Sequence, residues 1–462
     1  MGTISSQTIE EAVYNLVKTA NIKMEAASRA LVCDELSSSN DEESKNFLPY
    51  FLKNLYLADK NRRPICQDTG QVLVFIKLNQ NICLSGKPLQ EAIDNAVAKC
   101  YTENFLRKSV TSDAIFDRQN TQNNTPAIIY TEFGDSEGIE INVLIKGGGA
   151  ENKSALMMLS PTANEGDIIE EAAKLVSKAG KSACPPYFLG IGIGGTADKA
   201  LVMSKKAFFE GNQTDKQRFL AEKMKDFINA YTTTTGFEKS VVDVKILTAP
   251  THIACMPVGV SFNCHALRHG RCHISQSGEI TYFEDKTPLA DCEIQLPNDI
   301  KKINSSDVQE IKSVKSREKV LISGKIYTAR DAAHKRILNY IANKKPLPFE
   351  LKDKIIFYAG PCPKNDNEII GPVGPTTSGR MDKFSEQMAK LNILATIGKG
   401  ERNPQTEEIF KENEIKYFTV YGGISNCLAS CVKSANMIAF EDLGAEAVYE
   451  LEVVDFPVVC EF

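Results

Sequence analysis

Between about Cys272 and Ser316 the chain loses all sustained periodicity, and short polar pieces such as Gln276-Ser277-Gly278 and Asn304-Ser305-Ser306-Asp307 replace the regular apolar spacing on either side. A domain boundary is expected there. The length agrees: 462 residues exceed one ordinary core, and about two or three domains are expected from such a chain.

Both flanks mix helix and strand patterns. Ala12, Leu16 and Ala20, then Met24, Ala27 and Leu31, then Phe47, Phe51 and Leu55 recur at helical intervals, which predicts two or three helices. The polar turn Asn61–Gly70 leads into a buried strand over 71–77. Further on, a helix is predicted over 88–106, strands over 127–132 and 139–146, a helix over 167–179, and a strand-like stretch over 184–196 feeding a helix over 198–209. Beyond the boundary, strands are predicted near 320–327, 354–358, 391–397 and 417–420, with helices over 329–342 and 404–413. The fold class is therefore α/β in the mixed α+β sense, with two domains.

Composition narrows the function. Hydrophobic residues are 42% and charged residues 24%, which excludes a disordered chain, and a net charge of -5 offers nothing to a nucleic acid. No apolar run reaches the roughly 18 to 20 residues that span a bilayer, and the first twenty residues are polar and acidic. A cytoplasmic location without membrane partners is the expectation, so the thirteen cysteines do not read as a disulfide framework.

Four of the five histidines, His252, His265, His269 and His273, share a short window with Cys255, Cys264 and Cys272. The zinc pattern is incomplete, because Cys255 and Cys264 stand nine apart. An iron–sulfur cluster needs thiolates that the fold gathers from separate loops, and Cys66, Cys184 and Cys264 all lie beside turn residues. Each taken alone is ordinarily a small buried hydrophobe. The neighbours raise two of them: Cys66-Gln67-Asp68-Thr69-Gly70 sets polar groups beside a thiol, and Cys184-Pro185-Pro186 fixes a rigid turn. Gly190-Ile-Gly-Ile-Gly-Gly195 matches the dinucleotide fingerprint, with Glu210 at about the spacing of a ribose contact; close backbone packing is its bland alternative. Lys146-Gly-Gly-Gly-Ala-Glu-Asn-Lys153 lacks a P-loop signature, yet its glycine amides suit a carboxylate or phosphate as well as they suit a plain turn. Gly374-Pro-Thr-Thr-Ser-Gly-Arg-Met-Asp382 packs hydroxyls and an arginine into one turn, and Arg107, Arg330 and Arg380 lie near turns or element ends.

Taken in order, Cys66-Gln-Asp-Thr-Gly, Lys146–Lys153, Cys184-Pro-Pro, Pro257-Val-Gly leading to Cys264, Ser323–His334 and Gly374–Asp382 resemble class I fumarate hydratase, the oxygen-sensitive iron–sulfur family. The resemblance covers nearly the whole chain, which is similar to the two-subunit form joined end to end near residue 285. It implies an N-terminal cluster-binding α+β domain over 1–284 and a C-terminal swivelling β/β/α-type domain over 285–462.

The resemblance further implies a [4Fe–4S] cluster on Cys66, Cys184 and Cys264, with one iron left open as a Lewis acid. The implied reaction is the reversible hydration of fumarate to (S)-malate in the tricarboxylic acid cycle. A related dehydratase acting on L-tartrate or mesaconate is the alternative. Thr376 matches the base toward carbon, activated by the charge of Asp68 or Lys399, and His252 and Arg380 belong with it in the catalytic group. Arg107, Arg330, Arg380 and Lys399 match carboxylate-binding cations for a C4 dicarboxylate, while Gln67, Gly149 and His252 match substrate contacts. A homodimer is implied, and Cys255, Cys272, Cys427 and Cys431 take structural roles.

Overall fold

The structure, a computed structural model, describes residues 2–462 except Ser136, Glu284, Lys286, Pro288 and 291–299. The boundary expected at 284/285 thus falls on Glu284, outside the described residues. The chain forms a mixed α/β fold divided into two compact units. The first comprises Met1–Leu48, Ala58–Pro64 and Asp68–Ala290; the second comprises Pro49–Leu57, Ile65–Gln67 and Asp291–Phe462. Among the described residues no helix is long and apolar enough to cross a membrane.

The first unit holds a five-stranded sheet in the order Ile280–Tyr282, His269–Ile274, Ile139–Lys146, Gln71–Asn79, Ile128–Gly134. Period-two alternation puts Val72, Val74, Ile76, Ile139, Ile141, Val143 and Ile145 into one core with Val13 and Leu16 of the helix Ser6–Ile22 and Ile93 and Val97 of the helix Leu89–Glu103. Ser5 starts the first of these helices, its Oγ accepting the Thr8 amide at 3.1 Å. The antiparallel pairing of Gln71 with Lys146 brings the residues before one strand beside those after the other.

A second, four-stranded sheet runs Ala155–Leu159, Met256–Asn263, Tyr187–Gly195, Val241–Thr251. The helices Glu165–Ala179 and Asp215–Tyr231 share a buried core with Leu189 and Ile191. Against the glycines of the same strand lies the helix Ala197–Glu210. A Cβ at Gly190 would collide with the Ser204 carbonyl, and one at Gly192 with the Ala200 carbonyl. The Gly190–Gly195 run therefore lies within a strand as a packing surface, and the nucleotide-binding loop between strand and helix that its fingerprint suggests is not formed.

In the second unit Lys319–Thr328 pairs with Lys301–Asn304 and Ile355–Phe357 in parallel, and with Val448–Cys460 antiparallel. Ile355–Phe357, Ala395–Gly398 and Lys416–Thr419 continue the parallel ladder, which Val448–Cys460 closes by pairing with Lys416–Thr419 as well. The ladder thus returns on itself as a small barrel, with Val432–Ala439 added outside Val448–Cys460. Helix Asp331–Ala342 and the turn Ser378–Phe384 pack on it through Ala333, Ile337, Met381 and Phe384.

Candidate active site

Within the first unit, strand pairing gathers two of the three proposed cluster cysteines. Phe188 pairs with Asn263, so Cys184, just before one strand, and Cys264, just after the other, fall at the same end of this strand pair. The His265 amide donates to the Cys184 carbonyl at 3.4 Å, and its Nδ1 lies 3.2 Å from the carbonyls of Cys184 and Pro185. Cys184 is buried and has φ +62°, a left-handed conformation that a non-glycine residue adopts where surrounding structure holds it.

Lys146 closes its strand at the same place. Its buried Nζ donates to Ser261 Oγ at 3.1 Å and to the Phe262 carbonyl, and it lies 3.4 Å from Glu151. Burial pushes this amine down to about 8, against the opposing pull of Glu151. The glycines that follow are partly committed: the Gly148 amide donates to Asp68 Oδ2 at 2.9 Å, so this amide is not offered to an external anion. Gly149 follows in the short helix Gly148–Glu151.

Asp68 is the hub of this corner. Its Oδ1 lies 3.3 Å from Arg107 Nη2 and accepts the Gly70 amide at 3.2 Å, while Arg268 Nη1 donates to its carbonyl at 2.7 Å. Burial alone would raise its pKa, but the charges of Arg107 and Arg268 and the two amides hold it below the usual carboxylate range. It is an ionised acceptor that orients Arg107.

The histidines clustered in sequence go to separate places. His252 sits on the exposed turn between strands, accepting the Ala254 amide at 3.1 Å, beside Ile253, which is 92% exposed. His265 is buried, His269 lies 3.2 Å from Glu25, and His273 meets the Glu137 carbonyl. Among the described residues no group of three or more His, Cys, Asp or Glu side chains is placed to hold a metal ion.

The third cysteine, Cys66, was expected with the first unit but clusters with the second, together with Gln67. The reason is local bonding. Gln67 Nε2 donates to the Pro375 carbonyl at 3.3 Å, Cys362 Sγ lies 3.4 Å from the Gln67 carbonyl, and Cys66 Sγ lies 3.3 Å from Gln67 Oε1. Asn54, also of this unit, donates to the Ile65 carbonyl at 2.8 Å. Gly374 lies so close to the Gln67 amide that a Cβ there would displace it.

Thr376 follows directly. Its amide donates to the Tyr358 carbonyl at 2.6 Å, Ala359 pairs with Pro375, and Thr377 pairs with Lys399, whose carbonyl accepts the Ser378 amide at 2.9 Å. Arg330 immediately precedes the helix Asp331–Ala342, and Arg380 bonds its first residue. Arg330 Nη2 lies 3.4 Å from Glu446, and Arg380 grips Asp331 at both oxygens, with Nε to Oδ1 at 3.2 Å.

Several contributors were not singled out from the sequence. Asp331 and Asp382 stand inside quoted motifs, Arg268 lies four residues past Cys264, and Cys362 follows the predicted strand at 354–358. Those placements are the signals that point to them. Glu446 carries none.

The chain also matches known families. A family model described as fumarate hydratase (Fumerase) matches residues 10–273, and one described as the fumarase C-terminus matches 280–461. The chain is 27% identical over 474 aligned residues to fumarate hydratase class I, aerobic, of Escherichia coli strain K12, covering 95% of this chain and 85% of that one. It is 29% identical over 463 residues to fumarate hydratase 2 of Leishmania major, covering 93% and 80%. A chain of Methanocaldococcus jannaschii, provisionally named the alpha subunit of an L(+)-tartrate dehydratase, is 32% identical over 272 residues, covering 56% of this chain and 95% of its own length.

Proposed function

The chain belongs to the fumarate hydratase family, and from that premise we propose that this hydro-lyase catalyses the reversible hydration of fumarate to (S)-malate, using a [4Fe–4S] cluster on Cys66, Cys184 and Cys264. The observation that carries the reading is the placement of Cys184 and Cys264 beside the same end of two paired strands, with Cys184 held in a left-handed conformation. The donor chemistry fits, since thiolates are the ligands such clusters take. When bound, the cluster supplies a Lewis acid at its open iron.

In this reading the chain's own residues do the rest. Arg107, Arg330, Arg380 and Lys399 bind the two carboxylates, Arg107 being oriented by the ionised Asp68. Gln67, Gly149 and His252 align the substrate. Thr376, its backbone pinned to Tyr358, moves the proton at carbon. A free hydroxyl is far too weak an acid for this, so the role requires activation by the charge of Asp68 or Lys399. A homodimeric, cytoplasmic, oxygen-sensitive enzyme of the tricarboxylic acid cycle completes the reading.

The test is purification without oxygen, assay of iron, sulfide and visible absorption, and measurement of fumarate formed from malate before and after air. A brown protein whose activity fades as its colour bleaches supports the reading; an iron-free protein that catalyses the same reaction overturns the cluster. The Methanocaldococcus relative favours one second reading, a dehydratase of L-tartrate, with mesaconate as a further related substrate. Comparing kcat/KM across fumarate, L-tartrate and mesaconate separates them.

A further inference from the structure

We propose that His334 is a positioning residue for the dicarboxylate, bonding the Arg330 backbone and packing against the rings of Tyr358, whose carbonyl holds the Thr376 amide, and Phe384, which ends the turn that carries Arg380. The inference rests on the reading above, in which Arg330, Thr376 and Arg380 meet the substrate. His334 is fully buried in the helix Asp331–Ala342. Its amide and its Nδ1 both lie 2.8 Å from the Arg330 carbonyl. A carbonyl only accepts, so Nδ1 carries the ring proton and both lone pairs of that carbonyl are occupied.

The opposite nitrogen, Nε2, is buried and has no hydrogen-bond partner among the described residues, which fits a neutral ring. Burial agrees, pushing the imidazole down to about 4. The ring stacks on Phe384 at 5.3 Å and meets Tyr358 edge-on at 5.5 Å. Tyr358 offers the carbonyl that takes the Thr376 amide, and Phe384 ends the turn Ser378–Phe384 that contains Arg380. One imidazole thus bonds the Arg330 carbonyl and packs on two rings, one of a residue whose carbonyl holds Thr376 and one at the end of the turn that contains Arg380.

An apolar side chain would fill the slot but would not make the second bond to Arg330. That residue stands at the helix entry with extended backbone, φ -127° and ψ -165°, where the helical repeat does not fix its dihedrals. The histidine donor supplies the missing restraint and so sets where the Arg330 guanidinium starts.

The test uses the cluster-loaded enzyme. His334→Phe keeps a ring and deletes the donor, and is expected to raise KM for fumarate about tenfold, the size of one lost hydrogen bond, with kcat, iron content and melting temperature little changed. His334→Asn restores a donor toward the same carbonyl and is expected to return KM toward wild type. His334→Leu is a second donorless variant, and wild-type KM in either folded donorless protein overturns the proposal. Arg330→Lys separates the two levels of inference. If it leaves KM unchanged, the assignment of Arg330 to substrate is what fails; if it raises KM while His334→Phe does not, the positioning role alone fails.

Discussion

Arg402 donates Nε to Asp382 at 2.6 Å with no exposed side-chain surface of its own, and Asp382, 9% exposed, also accepts the Asn403 amide at 2.9 Å. The guanidinium lies over the rings of Tyr358, Phe410 and Tyr417 at 5.4, 4.9 and 5.3 Å. The pair therefore ties the turn bearing Arg380 to the core of the second unit. Asp382→Asn leaves a buried guanidinium without its counter-charge, and a loss of about 3–5 kcal/mol is expected. Urea denaturation measures it, and a change within about 0.5 kcal/mol, as at an ordinary surface site, would contradict the assignment.

Cysteine replacement separates the proposed ligands from the bystanders. Cys66→Ser, Cys184→Ser and Cys264→Ser should each abolish iron retention in anaerobically prepared protein, because a hydroxyl is a poor substitute for a thiolate donor. Cys255→Ser, on the turn beside His252, should leave iron content unchanged. Normal iron in any of the first three strikes that residue from the ligand set.

Thr376→Ala removes the hydroxyl while leaving its amide on the Tyr358 carbonyl. Iron content and KM should persist while kcat drops by about 10²–10⁴-fold, the usual consequence of deleting a proton-transfer group. Turnover close to wild type would place the base elsewhere.

Much of this arrangement was legible because the site residues sit in turns with unusual local chemistry. Cys184-Pro-Pro and Gly374–Asp382 announced themselves by residue type, and the strand predicted over 71–77 by its run of apolar residues. Other parts were hidden for physical reasons. Val448–Cys460, which closes the barrel, went unpredicted because its alternation is broken: Asp455 has φ +53°, and the pairing shifts between Val453 and Phe456. The placement of Cys66 with the second unit goes with the bonds of its neighbour Gln67 to Pro375 and Cys362, some three hundred residues away, which no local pattern encodes. The histidine window is the opposite case, since successive turns and strands send neighbours in sequence to different surroundings.

The glycines of the Gly190–Gly195 run offer a direct check on the packing account. Gly190→Ala would press a methyl group into the Ser204 carbonyl and the Phe208 ring. Overpacking of this kind should cost about 1–3 kcal/mol, read as a lowered urea midpoint at constant slope. A dinucleotide titration of the wild-type protein should show no binding; saturable binding lost in the alanine variant would restore the nucleotide reading.

The buried His334 makes a prediction about acid. Its ordinary pKa is 6.5, and burial lowers it to about 4 in the folded chain, with Asp331, Glu446 and the Arg330 carbonyl pulling up and Arg402 pushing down. Between those values the unfolded chain takes up a proton that the folded chain refuses, so stability present above pH 6.5 is lost as the pH falls toward 4. His334→Phe has no such proton to take up. The stability of wild type relative to the variant should therefore fall on acidification, by at most about 1.4 kcal/mol per pH unit. Urea midpoints at pH 7, 6 and 5 measure this difference, in which the carboxylates common to both proteins cancel. Parallel curves would mean that the imidazole titrates normally, which its partnerless Nε2 in an aromatic slot argues against.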